Sequence, residues 1–205
     1  MSSRDFTAYL DKTGDRSRLY LEIAAHTAAR RVLYPGSYLD IAPSYVWPDV
    51  TYLDSDDRAT RLFADAEVPM ALAVRNKRYA GDPVITYIAG DYTRTLPELP
   101  AESWDLVISL SAGLVSEHAT RCLKPGGFLL ANNSHADAGL ACTDPRLRLT
   151  AVVALDEGRL STIGLDRYLR PRRPPHPSRD DILKSGRAVP YTETASVYLF
   201  QVRGD

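Results

Sequence analysis

Asp54 follows Gly36 by 18 residues, close to the ~20 that separate a phosphate-side glycine from a ribose-binding acid in nucleotide folds. A carboxylate at such a point can accept both hydroxyl protons of a ribose diol. Asp91 and Tyr92 form a second pair suited to a nucleoside: the acid accepts a hydrogen bond from an adenine amino group, and the ring covers the base. The stretch "YPGSY", Tyr34 to Tyr38, holds one glycine. The G-x-G-x-x-G run of dinucleotide sites exists because backbone must approach a pyrophosphate. One glycine therefore suits a ligand that carries adenosine without phosphates and disfavours NAD. No G-x-x-x-x-G-K-[ST] loop occurs.

The elements that would position these residues alternate in type. "RLYLEIAAHTAARR" has Leu19, Ile23, His26 and Arg30 at helical spacing, which expects a buried, satisfied His26. It leads into an apolar strand at 31–34. A second strand covers 50–54. The helix after it is expected to be capped by Ser55, with Asp56 and Asp57 in its first turn, where the helix dipole favours acids. Its pattern runs to about Arg75, with a break expected at Pro69. "VITYIAGD" (84–91), "WDLVISLS" (104–111), "GFLLANN" (127–133) and "ASVYLFQV" (195–202) are further strands. "GLVSEHATRCL", which contains His118, predicts a helix stopping at "KPGG". The apolar runs around "DEGR" (156–159) predict a hairpin.

Strands alternating with helices argue for an α/β domain with a mainly parallel sheet. Runs such as "LVISL" fit strands buried on both faces. Ligands of such sheets sit at the carboxyl ends of the strands, where strand order reverses. Those ends carry Pro35-Gly36-Ser37, Asp54, Asp91-Tyr92, Ser109 and Ser111, and Asn132, Asn133, Ser134 and His135. Tail residues Tyr191 and His176 either contact a substrate or pack.

"WDLVISLSAGLVSEHATRCLKPGGFLLANN" resembles the fourth strand, helix, Leu-Lys-Pro-Gly-Gly turn and fifth strand of the class I S-adenosylmethionine-dependent methyltransferases. "VTYLDSD" is similar to that family's second strand with its ribose acid, and "YIAGDY" to its third strand with its adenine-side acid. The resemblance spans roughly residues 18 to 202. It implies a Rossmann-like, mainly parallel sheet flanked by helices, with antiparallel strands at the C-terminal edge. It further implies S-adenosylmethionine as cofactor, held by Gly36, Asp54, Asp91, Tyr92 and Ser109, and transfer of its methyl group to a small molecule. His135, just past the fifth strand, is the candidate general base. The family's usual acid and alternating glycines after the first strand are here replaced by Tyr34-Pro35-Gly36-Ser37-Tyr38. The alternatives are a methyltransferase-like domain that binds a nucleoside, or nothing, and acts through partners, or a nucleic-acid methyltransferase.

Composition narrows the choice. Among 205 residues the net charge is −1, with 44% apolar and 25% charged residues. That balance supplies no global field for nucleic acid or membrane. "RYLRPRRPPHPSR" concentrates five arginines and four prolines. It is expected to be a solvated loop, or a lid (164–194) that grips an anionic acceptor through guanidinium forks. It lacks interleaved aromatics beyond Tyr168, and no Asn-Pro-Pro-Tyr-type sequence follows the fourth strand, which argues against nucleic acid. Cys122 and Cys142 stand apart, without CxxC pairs or metal-like histidine clusters, so reduced thiols, no metal and a cytoplasmic setting are expected. The polar N-terminus predicts no signal peptide. One methyltransferase-like domain over 1–205 is expected, with 1–17 a loosely held arm.

Overall fold

The computed structural model describes residues 3–14, 16–154 and 159–204. In chain order the elements are α1 (Ser3–Thr13), α2 (Ser17–Thr27), β1 (Arg31–Pro35), β2 (Asp49–Asp54), α3 (Asp57–Phe63), α4 (Glu67–Asn76), β3 (Val84–Ala89), α5 (Tyr92–Thr95), β4 (Trp104–Ser109), α6 (Ser116–Ala119), β5 (Leu123–Ala131), α7 (Asp137–Cys142), β6 (Leu147–Ala154), β7 (Leu160–Ser161), α8 (Arg179–Ser185) and β8 (Ala195–Val202). One sheet joins all eight strands in the order β3-β2-β1-β4-β5-β8-β6-β7. The first five strands pair in parallel, and β8 runs antiparallel to both β5 and β6. Strand order therefore reverses between β1 and β4.

The sheet separates two apolar layers, and its central strands alternate between them. Val32 and Tyr34 of β1, Val50 and Tyr52 of β2, and Leu106 and Ile108 of β4 enter one layer with Phe6, Tyr20, Ile23 and Phe63 from α1, α2 and α3. Leu33, Leu53 and Val107 enter the other with Ala119 of α6, Leu140 of α7 and Ile182 of α8. Both faces are covered, so polar residues have no regular place in these strands.

Several local expectations change. Residues 3–13 form a helix, not a loose arm, because Phe6 is fully buried and meets the Phe63 ring edge-on at 5.2 Å. His26 is exposed on α2 instead of buried. Asp56, not Ser55, caps α3, accepting the Arg58 and Ala59 amides. The helix break falls at 64–66, and Pro69 sits in the first turn of α4, where its missing N–H costs nothing. α6 is a single turn, and Lys124-Pro125-Gly126-Gly127 lies inside β5, with a register shift between Trp104 and Leu106 absorbing the irregularity. β6 and β7 pair antiparallel, as the hairpin requires. Three of its turn residues, 156–158, lie outside the described residues.

Candidate functional site

Three loops meet at the carboxyl edge where strand order reverses. The loop after β1 turns at Gly36 (φ +67°), whose N–H donates to the Leu53 carbonyl at 2.7 Å. A Cβ on Gly36 would overlap the methyl of Ala112, in the loop after β4. The glycine thus serves the contact between these two loops as well as the turn. Asp54 ends β2, half-buried. Its Oδ2 accepts the Tyr38 amide at 2.6 Å and its Oδ1 the Asp56 amide at 2.8 Å. Each oxygen takes one donor, and a carboxylate has about four acceptor positions, so two remain for a diol.

On the next loop, Asp91 is exposed and caps α5, accepting the Thr93 amide and hydroxyl, each at 2.9 Å. Those two bonds hold its carboxyl below the usual range. The Tyr92 side chain crosses from α5 towards the loop after β4, where a Cβ on Gly113 would stand 2.6 Å from its hydroxyl. Asp54 and Asp91 are linked through the backbone, because the Gly90 amide donates to the Asp54 carbonyl at 2.9 Å.

Ser109 departs from the expected cofactor contact. It ends β4, but its side chain is buried and donates to Asp137. His135 is exposed, and its Nδ1 lies 3.1 Å from Ser134 Oγ. Ser134 in turn donates to Asn132 Oδ1 at 2.9 Å, and Asn132 donates to Ser111 Oγ at 3.0 Å. This polar chain bridges the loops after β4 and β5. His118 and the Tyr92 ring stand 6.4 Å apart. His176 and Tyr191 pack and hydrogen-bond through Nε2 and the phenol at 2.9 Å.

Of the described non-glycine residues with left-handed backbone, Tyr38 (φ +46°), Ser111 (φ +61°) and Ala136 (φ +67°) lie in the loops after β1, β4 and β5, while Ala28 and Glu102 lie before β1 and β4. Such conformations cost of order 1–3 kcal/mol each and cluster at functional sites.

Two buried acids behind the edge were not singled out in the sequence. Asp40 accepts from the Tyr20 hydroxyl at 2.8 Å, from Arg16 at 3.2 Å and from the Tyr34 hydroxyl at 3.3 Å, tying α2 to the loop after β1. Burial raises its carboxyl despite Arg16. Asp137 accepts from Ser109 and from the Ser116 hydroxyl and amide, at 2.6 and 2.9 Å. Burial pushes its carboxyl up to about 6, and the three donors only partly oppose this. The sole sequence signals were an acid amid apolar neighbours in "YLDIAP" and an acid opening a small-residue helix.

A cleft of about 410 Å³ opens beside the polar chain, between the end of β5 and residues 188–198. Among the described residues, no group of three or more His, Cys, Asp or Glu could hold a metal ion, and no helix is long and apolar enough to cross a membrane.

No protein-family model and no curated protein matches the chain. Solved structures do. An O-methyltransferase from Bacillus cereus in complex with SAH aligns with a TM-score of 0.55 at 12% identity, covering 98% of this chain and 90% of that one. The cofactor-bound protein Rv0187 from MTB aligns with a TM-score of 0.55 at 16% identity, covering 94% and 81%. A methyltransferase from Geobacter sulfurreducens aligns with a TM-score of 0.52 at 12% identity, covering 98% and 88%. The chain has the Rossmann-like fold of the class I methyltransferases, with antiparallel strands at one edge.

Proposed function

We propose that this chain binds S-adenosylmethionine at the carboxyl edge of β1, β2 and β3 and methylates a small molecule. The observation that carries the reading is Asp54, a half-buried carboxylate at the end of β2. It is fixed by two backbone amides and keeps acceptor positions for a ribose diol. Asp91 and Tyr92 stand one strand further, on the adenine side. The cofactor, when bound, supplies an electrophilic methyl group. The chain's own task is to hold the acceptor in line and exclude water. His135, beside Ser134, is the group positioned to take an acceptor proton. Three arginines of the basic segment are neutralised by the chain itself, Arg167 by Glu193, Arg170 by Asp166 and Arg179 by Glu117. This favours a small molecule over nucleic acid. Unpaired Cys122 and Cys142 suit a reducing, cytoplasmic setting, and the reading takes 1–205 as one methyltransferase-like domain.

A second reading, a methyltransferase-like domain that binds no nucleoside and works through partners, draws on the packing of Ala112 against Gly36. That contact lies where the loops would open for the methionine end of the cofactor.

Thermal unfolding with S-adenosylmethionine or S-adenosylhomocysteine separates the two. Ligand at ~100 times its dissociation constant adds roughly 2.7 kcal/mol. A melting curve unchanged at millimolar ligand favours the partner reading.

A further inference from the structure

We infer that the cleft between the end of β5 and residues 188–198 holds the methyl acceptor, and that the acceptor is a small flat acid whose carboxylate pairs with Arg172. The word "acceptor" rests on the methyltransferase reading, but the binding chemistry does not.

The cleft volume, about 410 Å³, lies within the ~300–1,000 Å³ of small-molecule sites. Ala188 and Pro190 give it an apolar surface over buried Val189 and Tyr198, and Thr194 and Ser196 add hydroxyls. Such a surface suits a planar apolar body. Arg172 is the one basic residue in the lining, and no acid lines it. Unlike Arg167, Arg170 and Arg179, Arg172 forms no ion pair among the described residues.

Its guanidinium is nonetheless held in place. The Arg172 amide donates to the Pro190 carbonyl at 2.8 Å, and its Nε to the Tyr191 carbonyl at 2.9 Å. A bridge between Pro171 and Tyr191 closes the same ladder. With Nε committed, the terminal nitrogens are the donors left for a carboxylate, and an arginine so fixed loses little side-chain freedom on binding.

Asn133 also lines the cleft. Asn133 donates Nδ2 to the Val189 carbonyl at 2.7 Å, while its Oδ1 is buried without a hydrogen-bond partner. Ser134, which also lines the cleft, leads to His135. The nucleophilic end of the acid would thus face the residues expected to handle its proton.

The test uses three aryl acids, 4-hydroxybenzoate, ferulate and anthranilate, each with its primary amide, titrated calorimetrically into the whole chain without cofactor. At least one acid should bind, and its amide should bind about tenfold weaker or less, since the charge-assisted fork is lost. Arg172→Gln should reduce acid affinity to the amide level, with no more than the small fall in melting temperature expected from losing the Nε bond to the Tyr191 carbonyl. No binding by any of the three acids, equal binding of acids and amides, or an Arg172→Gln variant that binds like wild type would each overturn the assignment. Stabilisation by S-adenosylhomocysteine is measured in parallel. Acid binding without it leaves the cleft standing and removes methyl transfer; the reverse removes the cleft alone.

Discussion

The Tyr38 amide donates to the Asp54 carboxylate at 2.6 Å, so the loop after β1 is fastened to the end of β2 by the acid expected to hold the ligand. On the proposed function, loop closure and ribose binding would share one side chain. Binding therefore finds the carboxylate already oriented, and removing it costs twice.

Asp54→Ala should weaken S-adenosylhomocysteine by at least ~1.5 kcal/mol, the low end for bonds to charged groups. It should also lower the melting temperature of the ligand-free chain, because the Tyr38 amide loses its acceptor. Calorimetric titration gives the first quantity and thermal unfolding the second. Unaltered affinity would take Asp54 out of the site.

Gly36 answers to Ala112 before it answers to any ligand. Gly36→Ala places a side chain at φ +67° and against the Ala112 methyl. The left-handed backbone alone costs roughly 1–2 kcal/mol. Ala112→Gly in the same chain should recover the part due to overlap and leave the backbone cost. A double-mutant cycle from chemical denaturation measures this, and a coupling below ~0.5 kcal/mol would mean that the two loops relax apart freely.

Asp137 makes stability depend on pH in an uncommon direction. Its carboxyl rises from an ordinary 3.8 to about 6 in the folded chain, so between those values the native state holds the extra proton. Its contribution is fully present below about pH 4 and is lost as pH rises through about 6, by of order 3 kcal/mol at most. Asp40 acts with the same sign. Asp137→Asn keeps the shape and should flatten this part of the curve, leaving the variant more stable than wild type at pH 7. Denaturation midpoints from pH 4 to 8 test it; parallel curves for the two proteins would refute it.

The basic segment should not confer nucleic-acid affinity. Neutralising phosphates releases counterions, so a genuine complex would weaken steeply with salt. Wild type should show no appreciable binding of mixed RNA or DNA oligonucleotides at moderate ionic strength. Changing Arg170, Arg172 and Arg173 together to Ala should leave cofactor affinity nearly unaltered. Micromolar oligonucleotide binding lost in that variant would revive the nucleic-acid alternative.

What the sequence disclosed follows from what is local. β8 occupies 195–202, the bounds read from "ASVYLFQV", because a continuous β-branched and aromatic run declares itself. The positions of Asp54 and Asp91, at the end of β2 and just past β3, were legible because strand ends are local features. The capture of Ser109 was not: its partner Asp137 lies 28 residues away, and Ser116 reaches the same carboxylate across 21. The helix at 3–13 was hidden for a similar reason, since Phe6 is buried by Phe63, a residue beyond β2. The cleft draws on both the loop after β5 and the segment around Tyr191, so no single stretch carries its pattern.

β8 follows every other described strand in sequence, yet it lies inside the sheet, between β5 and β6. During synthesis, the parallel half from β3 to β5 can assemble while residues 195–202 are still within the ribosome. Until they emerge, β5 presents a bare edge and β6 has only the two-residue β7 beside it. Unpaired edges of this kind recruit other chains. The emergence of β8 therefore ends the interval in which these two edges are exposed to aggregation, and its docking closes both at once.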